Sequence, residues 1–283
     1  MYQFLKNLDK RWVFLLMMAA VLIPVLLELR FPEDPSPMVR DVFQVIEDLP
    51  EGSKILMAMD YDPGTLAELD PMAAGFTRQC AKKKHKLFFI TLLPQGGMMI
   101  QRNINILKRE FPEYEYGRDY VNLGYRPGND GVVKVVVSDL QELYGNDVPG
   151  TALDDIPMTK NMKNIQSIDL IISVSGSDPG TKQWVQFAST PYEIKTVAGV
   201  TGVQAPPLYA YIPHQMVGLL GAIKGAAEYE QVLLEHYPEF RKNKNTQEGL
   251  RRMGPQLVAH LLMIALIVLA NFIFFIGRSR GEV

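Results

Sequence analysis

A single cysteine, Cys80, among 283 residues excludes an internal disulfide and any cluster of thiolate metal ligands. Histidine is also sparse: His85, His214, His236 and His260 fall at no ligand spacing, so no metal site is expected. Neither sign of charge predominates. Lys plus Arg number 29 against 31 Asp plus Glu, and the net −2 leaves no electrostatic footprint for nucleic acid. No Gly-x-Gly-x-x-Gly or Walker sequence follows any candidate strand, and Ser175-Gly176-Ser177 lacks the spacing of a nucleophile elbow. The expected cofactor complement is none.

What the chain does have is an uncharged apolar run near each end, Trp12 to Leu27 and Leu257 to Gly277. The second matches a hydrocarbon core of roughly 30 Å at about 1.5 Å per helical residue. Arg251 and Arg252 precede it, and Arg278 and Arg280 follow it. His260 and Asn271 interrupt it, and polar groups at such positions commonly face another helix. The first run follows Lys6, Lys10 and Arg11 and ends at Glu28 without a small-x-small cleavage site, which predicts an uncleaved signal anchor. Basic residues before it and Glu28, Glu33 and Asp34 after it place both termini in the cytoplasm and the domain outside. Arg241, Lys242, Lys244, Arg251 and Arg252 on the domain side oppose that orientation, but the first helix usually dominates.

The expected organisation is a tail 1–11, a transmembrane helix 12–29, a spacer with a short amphipathic helix 30–52, a soluble domain 53–238, a basic juxtamembrane segment 239–256, a transmembrane helix 257–277 and a tail 278–283. Within the domain, strands and helices alternate. Lys54–Met59, Leu87–Leu93, Tyr120–Tyr125, Ile168–Val174 and Glu193–Val197 read as strands, with Leu208–Ile212 as an edge strand. Thr65–Lys83, Met98–Phe111, Asp130–Tyr144, Lys182–Ser189 and His214–His236 read as helices, and Asn146–Ser167 as a long loop. The fold class is α/β: a Rossmann-like, mostly parallel sheet flanked by helices, with one transmembrane helix at each end of the chain.

Ligands of such a sheet bind at the carboxyl ends of its strands. Those ends carry Asp62, Gln95, Gly96, Gly97, Gly128, Asn129, Ser177 and Asp178 as a candidate binding rim, with Asp60, Arg126, Ser175 and His214 as candidate catalytic groups. Asp62-Pro63-Gly64-Thr65 recurs as Asp178-Pro179-Gly180-Thr181. Each Asp is expected to cap the helix that follows, and a carboxylate there repels a phosphate.

The run Asp60-x-Asp62-Pro63-Gly64-Thr65-Leu66 resembles the Asp-x-Asp-Gly-Thr-Leu signature of haloacid-dehalogenase-type phosphatases, with Ser175 and Lys182 in the place of that family's second and third motifs. The resemblance spans under ten residues and implies a hydrolase that requires a magnesium site. Pro63 displaces the glycine turn, and no acidic pair follows Ser175 to hold the metal.

Gly218, Gly221, Ala222, Gly225 and Ala226 form a small-residue stripe on the expected helix His214–His236. They are candidate contacts, with His260 and Asn271, for a subunit or helix interface. These features favour a membrane-anchored, non-enzymatic binding or scaffold subunit. Its partners would be the lipid bilayer and copies of itself or another membrane protein, without nucleic acid. The alternative is a membrane-bound hydrolase or ligand-binding enzyme using the strand-end rim.

Overall fold

A computed structural model describes residues 9–279; Lys6, Arg280 and the outermost parts of both tails lie outside them. The chain divides into two compact units, residues 33–249 and residues 1–32 with 250–283.

The larger unit is built on six parallel strands in the order β3-β2-β1-β4-β5-β6. They are β1 (Lys54–Asp60), β2 (Lys86–Thr91), β3 (Tyr120–Tyr125), β4 (Leu170–Ser175), β5 (Thr196–Val200) and β6 (Gly218–Gly221). This is the order of doubly wound Rossmann-type sheets, reversing between β1 and β4. β1 is central, pairing Ile55 with Leu87 on one side and with Leu170 on the other. Its side chains are buried on both faces, which explains a continuous apolar run in place of alternation.

Leu56, Ala58, Phe88 and Ile90 point to one face. There they meet Val132, Val133 and Val136 of α5 (Asp130–Val136), Leu140 and Tyr144 of α6 (Leu140–Tyr144), and Trp184 of α7 (Thr181–Trp184). Because successive strand residues alternate, Ile55, Met57, Leu87 and Phe89 turn to the other face. That face is covered by α2 (Pro37–Glu47), α3 (Leu66–Lys82), α4 (Gly96–Glu110) and α10 (Ala222–His236). Phe76 and Phe43 both pack on Tyr229, with ring centroids 4.8 and 5.9 Å apart.

Several boundaries differ from the sequence reading. The expected helix Asp130–Tyr144 breaks into α5 and α6 because Asp139 accepts a hydrogen bond from the Glu142 N–H at 2.9 Å and restarts the helix. The expected edge strand Leu208–Ile212 is helical instead. α9 (Ala205–Leu208) starts on Pro206 and Pro207, whose fixed φ suits a first turn, and a 3-10 turn Tyr209–Tyr211 follows. β5 lies at Thr196–Val200, after α7 has run through a π turn (Val185–Ser189) into α8 (Thr190–Tyr192). The long loop Asn146–Ser167 contributes Leu153, Ile156, Met158, Met162 and Ile165 to the core.

The largest correction concerns His214–His236. Its first part is not helical: Gly218–Gly221 is β6, hydrogen-bonded to β5, and α10 begins at Ala222. Periodicity cannot separate a short apolar strand from a helical turn, so Gly218 and Gly221 belong to no helical stripe.

In the smaller unit the first apolar run forms α1 (Lys10–Leu26), 17 residues long, with the Asp9 carboxylate accepting the Arg11 N–H at 2.9 Å. The second forms part of α11 (Glu248–Ser279), 32 residues long. Among the described residues α11 is the one helix long and apolar enough to cross a bilayer, where one at each end was expected. α1 falls short on length. Gly254 lies against the Leu29 carbonyl, where any Cβ would overlap that oxygen.

Candidate functional site

The ligand crevice of a doubly wound sheet lies beyond the strands where the order reverses, here β1 and β4. Asp60 ends β1 and Ser175 ends β4, and the two are in register. Asp60 has no exposed surface. Its Oδ1 accepts from the Leu92 N–H at 2.6 Å and its Oδ2 from the Trp184 indole N–H at 2.7 Å. Burial pushes the Asp60 carboxyl up to about 7, against the opposing pull of the Leu92 and Trp184 N–H groups and the Thr91 hydroxyl.

Ser175 is similarly enclosed. Its hydroxyl shares a hydrogen bond with the Thr181 hydroxyl at 2.7 Å and accepts from the Thr181 N–H at 3.2 Å, while Ser173 joins the same hydroxyl at 2.9 Å. Next to it, a Cβ on Gly176 would stand 2.8 Å from Thr65 Oγ1, so Thr65 lies across that glycine. Trp184, Thr181 and Thr65 thus occupy the position where the fold usually leaves a ligand crevice. Asp60 therefore presents no exposed surface at the strand end, and both of its carboxylate oxygens are already hydrogen-bonded.

The other candidates lie apart. Arg126 follows β3, two strands from β1. Its guanidinium donates to the carbonyls of Leu143, Tyr144 and Tyr125 at 3.2, 2.8 and 3.1 Å and stacks on the Tyr144 ring at 4.8 Å. Those bonds hold the carboxyl end of α6. His214 precedes β6 and lines a cleft of about 420 Å³ with Ser189, Glu193, Lys195 and Thr196. Thr196 begins β5, so this cleft is at the amino end of the sheet, opposite Asp60 and Ser175. The structure therefore sets Asp60 beside Ser175 and His214 at the opposite end of the sheet, while Arg126 stands two strands from Asp60 on the same rim, with Tyr144 in the field of both charges.

On the rim, Asp62 Oδ1 accepts from the Gly64 N–H at 2.8 Å, the expected cap. Asp178 departs from expectation: Gly180 is the residue that flanks α7, and its N–H is held by the Gln183 side-chain oxygen at 2.8 Å. Gln183 takes the position an Asp178 carboxylate would need, and Asp178 is left exposed. Gln95, Gly96 and Gly97 begin α4, with Gly96 pressed onto Thr91 Oγ1. Gly128 and Asn129 form an exposed turn before α5, both with positive φ.

The small residues proposed for an interface are spent on this fold. Gly218 admits Met38 and Val42 of α2, Gly221 faces Ala205, and Gly225 lets α10 approach the backbone of Leu220, whose Cα would lie 2.9 Å from an added Cβ. In α11, His260 is exposed, and Asn271 Nδ2 donates to its own helix at Ile267 O, 2.8 Å away.

Sequence reasoning missed Trp184, Thr181 and Glu68, which close the rim; the Glu68 carboxylate accepts the Gly202 N–H at 3.0 Å. The available signal was rarity, since the chain has only 2 tryptophans and one lies just beyond a strand-end turn. Among the described residues no three His, Cys, Asp or Glu side chains are placed to hold a metal ion. No family model matches this chain, nor does any curated protein or solved structure.

Proposed function

We propose that this chain is a membrane-anchored, non-enzymatic scaffold or binding subunit that associates with further copies of itself. The observation that carries the reading is the filled crevice at β1 and β4. Asp60, the only candidate catalytic carboxylate, is bonded to Trp184, and Ser175 is bonded to Thr181. A sheet whose switch point is occupied by its own side chains presents a rigid body more readily than a reaction centre.

Two-pass anchorage is part of this reading. α11 supplies a full span, and α1, at 17 residues, stands at the bottom of the range of spanning lengths, about 17–25 residues. Large apolar side chains along both helices, such as Phe14, Leu16, Leu261 and Val268, are exposed in the chain alone and need lipid or protein cover. Asn271 keeps an amide oxygen for a neighbouring helix, because its nitrogen is the atom bonded to Ile267.

Light scattering on the detergent-extracted full chain tests association. A defined oligomer that Asn271→Leu reduces in order is the expected result, and a strictly monomeric species overturns the proposal. For orientation, Asn161→Cys on the exposed loop should react with an impermeant maleimide in intact cells. The native thiol of Cys80 is fully buried and stays silent. Labelling only after permeabilisation would place the domain on the cytoplasmic side.

A further inference from the structure

A second cleft, of about 270 Å³, opens between α3, α4 and the segment leading to α11, and three of its lining residues are arginines. One wall is the α3 face Asp70, Ala74 and Arg78, spaced four apart. A second is the α4 face Arg102, Asn105 and Arg109, and Asn245 and Glu248 form the third. Each arginine is held in place by a carboxylate. Arg102 Nε and Nη2 donate to Asp70 at 3.0 and 2.7 Å, and Arg78 Nε and Nη2 donate to Glu110 at 2.8 and 3.0 Å. Arg109 Nη2 donates to Glu110 at 2.8 Å. The Asp70 bonds raise the Arg102 guanidinium above its ordinary value; burial alone would raise Glu110, but its bonds to Arg78 and Arg109 hold it below.

These pairings use one edge of each guanidinium. The Nη1 groups of Arg78, Arg102 and Arg109 have no acceptor among the described residues. Arg78, whose side chain is only 2% exposed, still lines the cleft, and an anion there would supply an acceptor for the N–H groups that the chain's own carboxylates leave unused. The three guanidiniums are matched by three carboxylates, Asp70 and Glu248 in the lining and Glu110 behind Arg78 and Arg109, and Asn105 and Asn245 add amide donors. Oriented guanidinium forks converging from two helices suit an oxyanion with several oxygens, above all phosphate. The volume lies below the roughly 300–1,000 Å³ of drug-sized sites, so the occupant is small.

We infer that this cleft binds a phosphate group, with Arg78, Arg102 and Arg109 as its ligands. The phosphate could belong to a lipid headgroup or to a soluble phosphorylated molecule. Glu248 in its wall is the first residue of α11, whose apolar stretch starts at Leu257, which makes a headgroup a natural source.

Calorimetric titration of the full chain in dodecyl maltoside separates the sources, using inorganic phosphate in one arm and dihexanoylphosphatidylglycerol in the other. Saturable binding of either probe is expected, weakened at least tenfold by Arg102→Gln and by Arg109→Gln. It should be unchanged by Arg40→Gln, whose ion pair with Glu235 lies outside the cleft. Binding of inorganic phosphate supports a soluble ligand, and binding of the lipid alone supports a headgroup. Arg109 is half exposed and makes a single bond, so its variant stays interpretable if Arg102→Gln fails to fold. Absence of saturable binding by both probes, or wild-type binding by a folded Arg109→Gln protein, overturns the inference.

Discussion

Asp62-Pro63-Gly64-Thr65 and Asp178-Pro179-Gly180-Thr181 share four residues and a place just beyond a parallel strand, yet they fold differently. After β1 the Asp62 side chain caps Gly64, and the Thr65 hydroxyl turns back to the Asp62 carbonyl at 3.1 Å. After β4 the cap comes from Gln183, and Thr181 turns inward to the hydroxyls of Ser173 and Ser175. Three residues past each threonine the contrast repeats. Glu68 is partly exposed and accepts from Gly202, while Trp184 is fully buried and donates to Asp60. The same tetrapeptide starts a surface turn in one place and closes the core in the other, because different residues follow it: Leu66-Ala67-Glu68 against Lys182-Gln183-Trp184. Local preference makes the turn, and what the neighbours can bury decides which way it faces.

The comparison breaks most readily at Trp184. Trp184→Ala should cost about 3–5 kcal/mol in urea unfolding, from the cavity alone and before the loss of a donor to buried Asp60. Glu68→Ala at the matching position should cost under about 1 kcal/mol. Equal costs would mean that the two turns carry the same load after all.

Acidity sharpens the contrast next. The Asp60 carboxyl lies at about 7 in the fold against 3.8 in the unfolded chain, so its protonated form is the one the fold prefers. That contribution is complete below about pH 4, declines as pH rises and is lost above about 7. Stability should fall across this window by up to about 4 kcal/mol from this group, at about 1.4 kcal/mol per unit. The Trp184 indole proton resonance should titrate with it, near pH 7. A midpoint below pH 5 would refute the assignment.

Thr181→Val should cost about 2 kcal/mol, because it leaves the buried Ser173 and Ser175 hydroxyls with one partner fewer each. Thr65→Val, beside a partly exposed turn, should cost about 0.5 kcal/mol or less in the same unfolding assay. A reversed order would show that Thr65 against Gly176, not Thr181 against Ser175, seals the crevice.

Much of the sheet was legible in the sequence. β1, β2 and β4 are buried on both faces, so they appear as short, mostly apolar runs bounded by polar residues. β6 was not legible: Gly218-Leu219-Leu220-Gly221 is four residues long and joins smoothly to the helical period of α10. The candidate site was legible in part. Strand-end position singled out Asp60 and Ser175, but the partner that encloses Asp60 lies 124 residues along the chain. Arg126 and His214 were placed on one rim because both flank strands, and only the strand order shows His214 at the opposite end. The arginines of the second cleft meet across α3 and α4, a pairing invisible along either helix.

The sequence by itself determined the alternation of strands and helices, the apolar character of both ends and the isolation of the single cysteine. These follow from burial period, composition and counting, which are properties of short stretches of chain. Tertiary structure alone decided that the Asp60 and Ser175 side chains are enclosed, that two turns of the same sequence fold differently and that three guanidiniums line one cleft. Each of these depends on through-space partners far apart in sequence, and a hydrogen bond or a packed ring is specified by distance in the fold, which local pattern does not encode.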